Sequence, residues 1–171
     1  GLMCALAIAR LGIPVVVLEG EPALTYDLRA GTFHPPTLEM MAPYGITARM
    51  HELGIPVRYW QVRQRRGGMV AQFDLATLAD ITPYPYRLHL EQHRLTPIQL
   101  DILKKETNAD VRFSHKVTGF EQNADRVRVS YEADGKPGYI DAAYLVGADG
   151  GRSVVRKQTG TEFEGFTWPE Q

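Results

Sequence analysis

The chain has 171 residues, 44% hydrophobic and 23% charged, a length and make-up that suit one soluble domain, or one with a small excursion. Nineteen Lys and Arg against twenty Asp and Glu leave a net charge of −1, which gives no electrostatic case for a nucleic-acid or anionic-membrane partner. The lone cysteine, Cys4, excludes an internal disulfide framework and a multi-cysteine zinc site, and no apolar run approaches the roughly 20 residues of a membrane helix.

The chain starts at Gly1 rather than Met. Residues 2–11 (LMCALAIARL) are apolar on nearly every face, which predicts a buried helix stopped by Gly12 and Pro14. Residues 15–18 (VVVL) form a continuous β-branched run ending at Glu19, the mark of a parallel strand buried on both faces. After a loop over 20–36, helices are expected at 37–44 and 46–53. Residues 57–63 and 69–75 alternate in period two around Gly67 and Gly68, which predicts a hairpin. Residues 76–90 read as irregular. A helix over 93–107 must place Pro97 in its first turn. Strands are expected at 111–113, 116–122 and 126–132, with a further hairpin turn at Asp134 and Gly135. A buried strand at 144–146 then runs into Gly147-Ala148-Asp149-Gly150, a short helix spans 153–158, and the tail 160–171 has no periodicity.

Several stretches could carry chemistry. Gly1 stands where the third glycine of a dinucleotide fingerprint would stand, directly before a helix. Glu19 closes the next strand about where that fingerprint expects an acid for ribose hydroxyls. An ordinary αβ pair with a solvated glutamate explains the same residues equally well. Arg29 could reach a diphosphate with its fork of donors, or be a solvated loop charge. Gln92 could donate to cofactor groups, or merely begin a helix. Asp149 is delivered to a strand's carboxyl end beside glycines, a helix start, Arg152 and Arg156. Open α/β sheets bind ligands at that edge, although a cap or turn residue would look the same.

Taken in order, Gly1-Leu2-Met3, residues 15–19, Arg29-Ala30-Gly31, His34-Pro35-Pro36-Thr37-Leu38-Glu39, Gln92, and residues 147–150 with Ser153 and Arg156 resemble a known pattern. It is the FAD-binding part of single-component flavoprotein aromatic hydroxylases, the group typified by para-hydroxybenzoate hydroxylase and phenol hydroxylase. The resemblance covers nearly the whole chain. It implies an α/β fold: an FAD/NAD(P)-binding Rossmann-like parallel sheet, its first strand missing, with a β-rich excursion toward a substrate domain. The implied division is 1–56 and 91–171 for the FAD-binding domain and 57–90 for the excursion.

The resemblance also implies roles. Gly1 is the last glycine of the FAD fingerprint, Glu19 holds the adenosine ribose, and Arg29 contacts the pyrophosphate region. Gln92 supports the flavin side, the Val117 backbone lies near adenine, Asp149 and Gly150 serve FAD and NADPH handling, and Arg156 holds that motif. NADPH or NADH reduces the flavin, molecular oxygen adds to give a flavin hydroperoxide, and its distal oxygen attacks a small aromatic substrate; the cofactor carries this chemistry. No catalytic residue is named, and a homodimer is compatible with the resemblance. The chain departs from the family at Gly20, where a basic residue usually follows the ribose acid. The first two fingerprint glycines and a later Gly-Asp motif are also absent from it. Two other readings stand beside this one: a truncated, catalytically inactive α/β fragment, and another flavin-dependent oxidoreductase such as an oxidase or halogenase.

The remaining residues have plainer readings. The five histidines lack metal-ligand spacing. Arg63, Arg65 and Arg66 suit a solvated hairpin tip. One of Tyr59 and Trp60 is expected in the core and the other at the surface. Cys4 is expected to pack inertly on a buried helix. The single cysteine and the lack of a leader point to the cytoplasm.

Overall fold

The computed structural model describes residues 1–26, 30–167 and 169. The chain divides into two units, residues 1–23 with 106–171, and residues 24–105. α1 (Leu2–Arg10) and β1 (Val15–Leu18) open the first unit. The second unit holds β2 (Thr32–Phe33), α2 (Pro35–Met41), α3 (Ile46–Leu53), β3 (Ile55–Val57), β4 (Tyr59–Gln64), β5 (Gly68–Asp74), β6 (Arg87–His89) and α4 (Gln92–Leu103). The chain then returns to the first unit with β7 (Ala109–Arg112), β8 (His115–Gln122), β9 (Val127–Ala133), β10 (Lys136–Ala142) and α5 (Val154–Gln158).

In the first unit, α1 ends at Gly12, whose φ is +78°. The Gly12 N–H donates to the Ala9 carbonyl (2.9 Å) and the Ile13 N–H to that of Ile8 (3.4 Å). These paired bonds satisfy the last carbonyls of the helix, and glycine reaches that φ without a Cβ penalty. β1 then pairs in parallel with β7, from Val15 opposite Ala109 to Leu18 opposite Arg112. β8, β9 and β10 form an antiparallel meander, and its second turn places Asp134 and Gly135 at φ 51° and 71°. Two successive positive φ values match the right-handed twist of the flanking strands.

The second unit buries Leu38, Ile46, Met50, Leu88, Leu95, Ile98 and Leu103, with α3 packed on α2 and α4. The inward Thr47 hydroxyl donates to the Leu38 carbonyl at 2.6 Å, so its burial leaves no orphan. β2, β6 and β3 form one antiparallel sheet and β4 and β5 a separate hairpin. Strands of two or three residues, such as β2 and β6, are too short to show a period. Alternation also could not tell that Val57 pairs with Arg87 of β6 while Tyr59 pairs with Asp74 of β5.

Five expectations need correction. Residues 144–146 form no strand, and Tyr144 is 90% and Val146 59% exposed. A strand needs a ladder partner, and none lies beside them among the described residues. β1 is not buried on both faces: Val16 is 42% exposed, since a ladder partner such as β7 covers an edge of the strand and not its face. α1 buries only Ala5, Leu6 and Ala9, and Cys4 is exposed. Tyr59 and Trp60 are both half-exposed, and Trp60 stacks on its cross-strand partner Phe73 at 5.0 Å. α4 begins at Gln92, so Pro97 lies inside it, and the i→i−4 bond to the His93 carbonyl is lost.

Leu88 is fully buried. Leu88→Ala is expected to lower the unfolding free energy of the full-length protein by about 2–5 kcal/mol. Urea unfolding followed by circular dichroism measures this, and a loss below about 1 kcal/mol contradicts the packing described.

Candidate functional site

α1 packs against β1 and runs antiparallel to it. Nine helical residues rise about 13 Å, and a four-residue strand covers a similar distance. The helix start and the strand end therefore share the carboxyl edge of the β1–β7 pair, which brings Gly1 and Glu19 to one side of the sheet. The Gly1 carbonyl accepts from the Ala5 N–H at 3.0 Å, and no side chain caps α1. The amides of its first turn lack helical acceptors and no acid lies among them, so the helix start suits an anion. A Cβ on Gly1 would meet nothing within 4 Å. The close helix–strand contact that reserves a fingerprint position for glycine is not supplied by the described residues.

The backbone of Glu19 continues the ladder. Its N–H donates to the Arg112 carbonyl (2.9 Å), and its carbonyl accepts from the His115 N–H (2.8 Å). The side chain is exposed and accepts from the Glu21 N–H at 3.0 Å. Val117 lies two residues beyond His115 on β8, half-buried and opposite Tyr131. The fold thus brings Glu19 and Val117, far apart in sequence, to neighbouring positions.

Asp149 is organised differently. Its carboxylate accepts from the Ser153 hydroxyl (2.5 Å) and from the amides of Val154 (2.6 Å) and Val155 (3.3 Å). Ser153 in turn caps α5 by accepting from the Arg156 N–H at 2.9 Å. Gly150, at φ +74°, makes the turn between the two caps. Burial alone would raise the Asp149 carboxyl, but the Ser153 hydroxyl and the surrounding amides outweigh it and hold it below the ordinary carboxylate range. The Arg156 guanidinium reaches the Thr161 carbonyl (3.3 Å) and lies over Phe163 (5.2 Å), so it holds the following segment. Sequence reasoning missed Gln158, whose side chain accepts from the Phe120 N–H (2.9 Å) where the β8–β9 register slips. A lone glutamine at a helix end carries no signal.

In the second unit, the Gln92 N–H donates to the Ala30 carbonyl (2.8 Å) and the Leu90 N–H to that of Gly31 (3.1 Å). The loop after position 29 is therefore fastened to the start of α4. Arg29 itself lies outside the described residues. Next to Gln92, the His93 ring lies 4.0 Å from that of Tyr26, and its buried Nδ1 has no partner among the described residues. Nothing in its spacing sets it apart from the other four histidines.

The Asp149 carboxyl is depressed, so its contribution to stability is present above the ordinary carboxylate range and lost as pH falls through its lower folded value. Asp149→Ala is expected to destabilise the full-length protein by about 1 kcal/mol at pH 7. The difference should shrink in acid as pH falls through the depressed folded value of Asp149. Paired denaturation curves across pH test this, and a pH-independent difference overturns the assignment.

Residues 1–169 match the protein family described as FAD binding domain. The chain is 31% identical over 171 residues to para-nitrophenol 4-monooxygenase of Pseudomonas sp. (strain WBC-3), covering 100% of this chain and 42% of that protein. It superposes on the crystal structure of p-nitrophenol 4-monooxygenase from Pseudomonas putida DLL-E4 with a TM-score of 0.94 at 31% identity, over 98% of this chain and 42% of that one. The flavin-dependent monooxygenase PieE, solved in complex with FAD and substrate, matches with a TM-score of 0.83 at 25% identity, over 94% of this chain and 30% of that one. The chain thus spans less than half the length of these relatives.

Proposed function

Because the chain belongs to the FAD binding domain family, we propose that the full-length protein is an NAD(P)H-dependent flavoprotein monooxygenase hydroxylating a phenolic or related aromatic ring. The observation that carries this reading is the exposed Glu19 carboxylate at the carboxyl edge of β1, on the same edge as the uncapped start of α1. An acceptor for ribose hydroxyls and a set of unpaired amides for a diphosphate are the two halves of a dinucleotide site. The para-nitrophenol 4-monooxygenase relatives support a phenol as the substrate class.

The chemistry FAD supplies when bound is two-electron transfer from a reduced nicotinamide to molecular oxygen. In this reading Glu19 accepts from the adenosine ribose, while Arg29 and the first-turn amides beside Gly1 take the diphosphate. The Val117 backbone flanks adenine, and Gln92 donates on the flavin side. Asp149 keeps Gly150 and the start of α5 in one arrangement, so the Gly150 backbone needs no reorganisation to meet a ligand. Residues 1–56 and 91–171 form the FAD-binding part. Residues 57–90 extend toward a substrate domain, a role supported by the half-exposed Trp60 and Phe73 on the β4–β5 hairpin. The cytoplasm, where reduced nicotinamide nucleotide is supplied, is the expected location.

In the full-length protein, Glu19→Ala and Arg29→Ala should each weaken FAD binding by about tenfold or more, the cost of one charge-assisted hydrogen bond. Flavin retention on gel filtration and fluorescence titration measure this, and unchanged affinity in both variants overturns the site. Oxygen uptake with NADPH or NADH should rise when a phenol is added. No rise across a panel of phenols refutes ring hydroxylation and leaves the FAD site standing.

A further inference from the structure

Gly20 directly follows Glu19 at the end of β1. A Cβ built on Gly20 would lie 3.6, 3.6 and 3.7 Å from the Cα, Cβ and Cγ of Lys116, and these three atoms are its nearest neighbours. The side-chain space at position 20, next in the chain to the exposed Glu19, is thus bordered by the stem of Lys116, which glycine leaves uncovered. The rungs around Lys116 hold it there: the His115 N–H donates to the Glu19 carbonyl (2.8 Å) and the Ser114 N–H to that of Glu21 (3.0 Å). Lys116 is exposed, and its cross-strand neighbour is Glu132. Its side chain makes no hydrogen bond or ion pair among the described residues. A lysine whose stem lies along the backbone keeps its ammonium in water, ready for a ligand.

An acid that accepts from ribose hydroxyls also repels the rest of a dinucleotide, whose diphosphate is anionic and whose adenine ring offers acceptors. A cation beside the acid removes that conflict. We propose that Lys116 is a binding residue for the adenosine half of the dinucleotide, supplying from β8 the cation that position 20 of β1's own end lacks. The proposal rests on the FAD reading of the Glu19 site. It assigns the adenosine end two charges of opposite sign, one at the end of β1 and one near the start of β8.

The test is FAD titration of full-length apoprotein, followed by flavin fluorescence at low and high salt. Lys116→Ala should raise the Kd about 5- to 20-fold at low salt and flatten its salt dependence. Lys116→Arg should stay within about threefold of the parent. Gly20→Lys added to Lys116→Ala should restore binding, because position 20 has ordinary contact distances and no left-handed φ. An unchanged Kd in Lys116→Ala overturns the proposal; if Glu19→Ala weakens binding in the same assay, the site reading survives, and if it does not, both fail. Weakening that Gly20→Lys does not restore, together with a lower apoprotein melting temperature, marks Lys116 as a structural residue and also overturns it.

Discussion

The pairing of β1 with β7 is the constraint on which the first unit depends. The two strands run parallel and are separated by about 90 residues of sequence, so their connection is not a turn but the whole of residues 24–105. Side chains reinforce the pair at its amino end. The Asn108 amide donates to the carbonyls of Ala9 (2.9 Å) and Ile13 (3.1 Å), and Arg10 pairs with Glu106 at 2.6 Å. The bonds from Asn108 tie the end of α1 to the start of β7, so helix and both strands share one frame. Position 19 inherits its geometry from that frame: its N–H continues the ladder onto Arg112, and its carbonyl receives the first residue of β8.

Two carboxylates illustrate how environment divides labour between residues of one chemical type. Asp149 is turned onto the protein's own hydroxyl and amides, and its proton affinity falls accordingly. Its oxygens organise a helix start and leave little for a ligand. Glu19 is anchored through its backbone and among the described residues has one side-chain bond, to a neighbouring amide, which leaves acceptor capacity on its exposed carboxylate. In the proposed dinucleotide site, Asp149 supplies preorganisation and Glu19 supplies recognition. A dinucleotide site needs both, because a loop that had to be ordered at the moment of binding would lose affinity to its own entropy.

Much of the local structure was legible in the residues themselves. The stops at Gly12 and Gly54, the strand at 15–18, the helix at 46–53 and the meander from 115 onward follow from period, turn chemistry and β-branching, all properties of short windows. The proposed site could be written from the sequence as a string of residue types in order. Its electrostatic division could not, since Asp149 reads identically as a ligand contact and as a cap. The failures at 144–146 and on the outer face of β1 share one cause. Apolarity states what a residue prefers to bury, and burial also requires a neighbour, which lies elsewhere in the chain.

The sequence by itself determined many of the local conformations, the α/β class and the family to which the order of motifs belongs. Those depend on side-chain shape and on backbone preferences within a few residues. Tertiary structure alone decided that β7 is the partner of β1, that Glu19 stands near Val117, and that the stem of Lys116 borders the flank Gly20 leaves open. Each joins segments about 90 or more residues apart. Such contacts are selected by the free energy of packing the whole unit, in which no single window of sequence contains both partners.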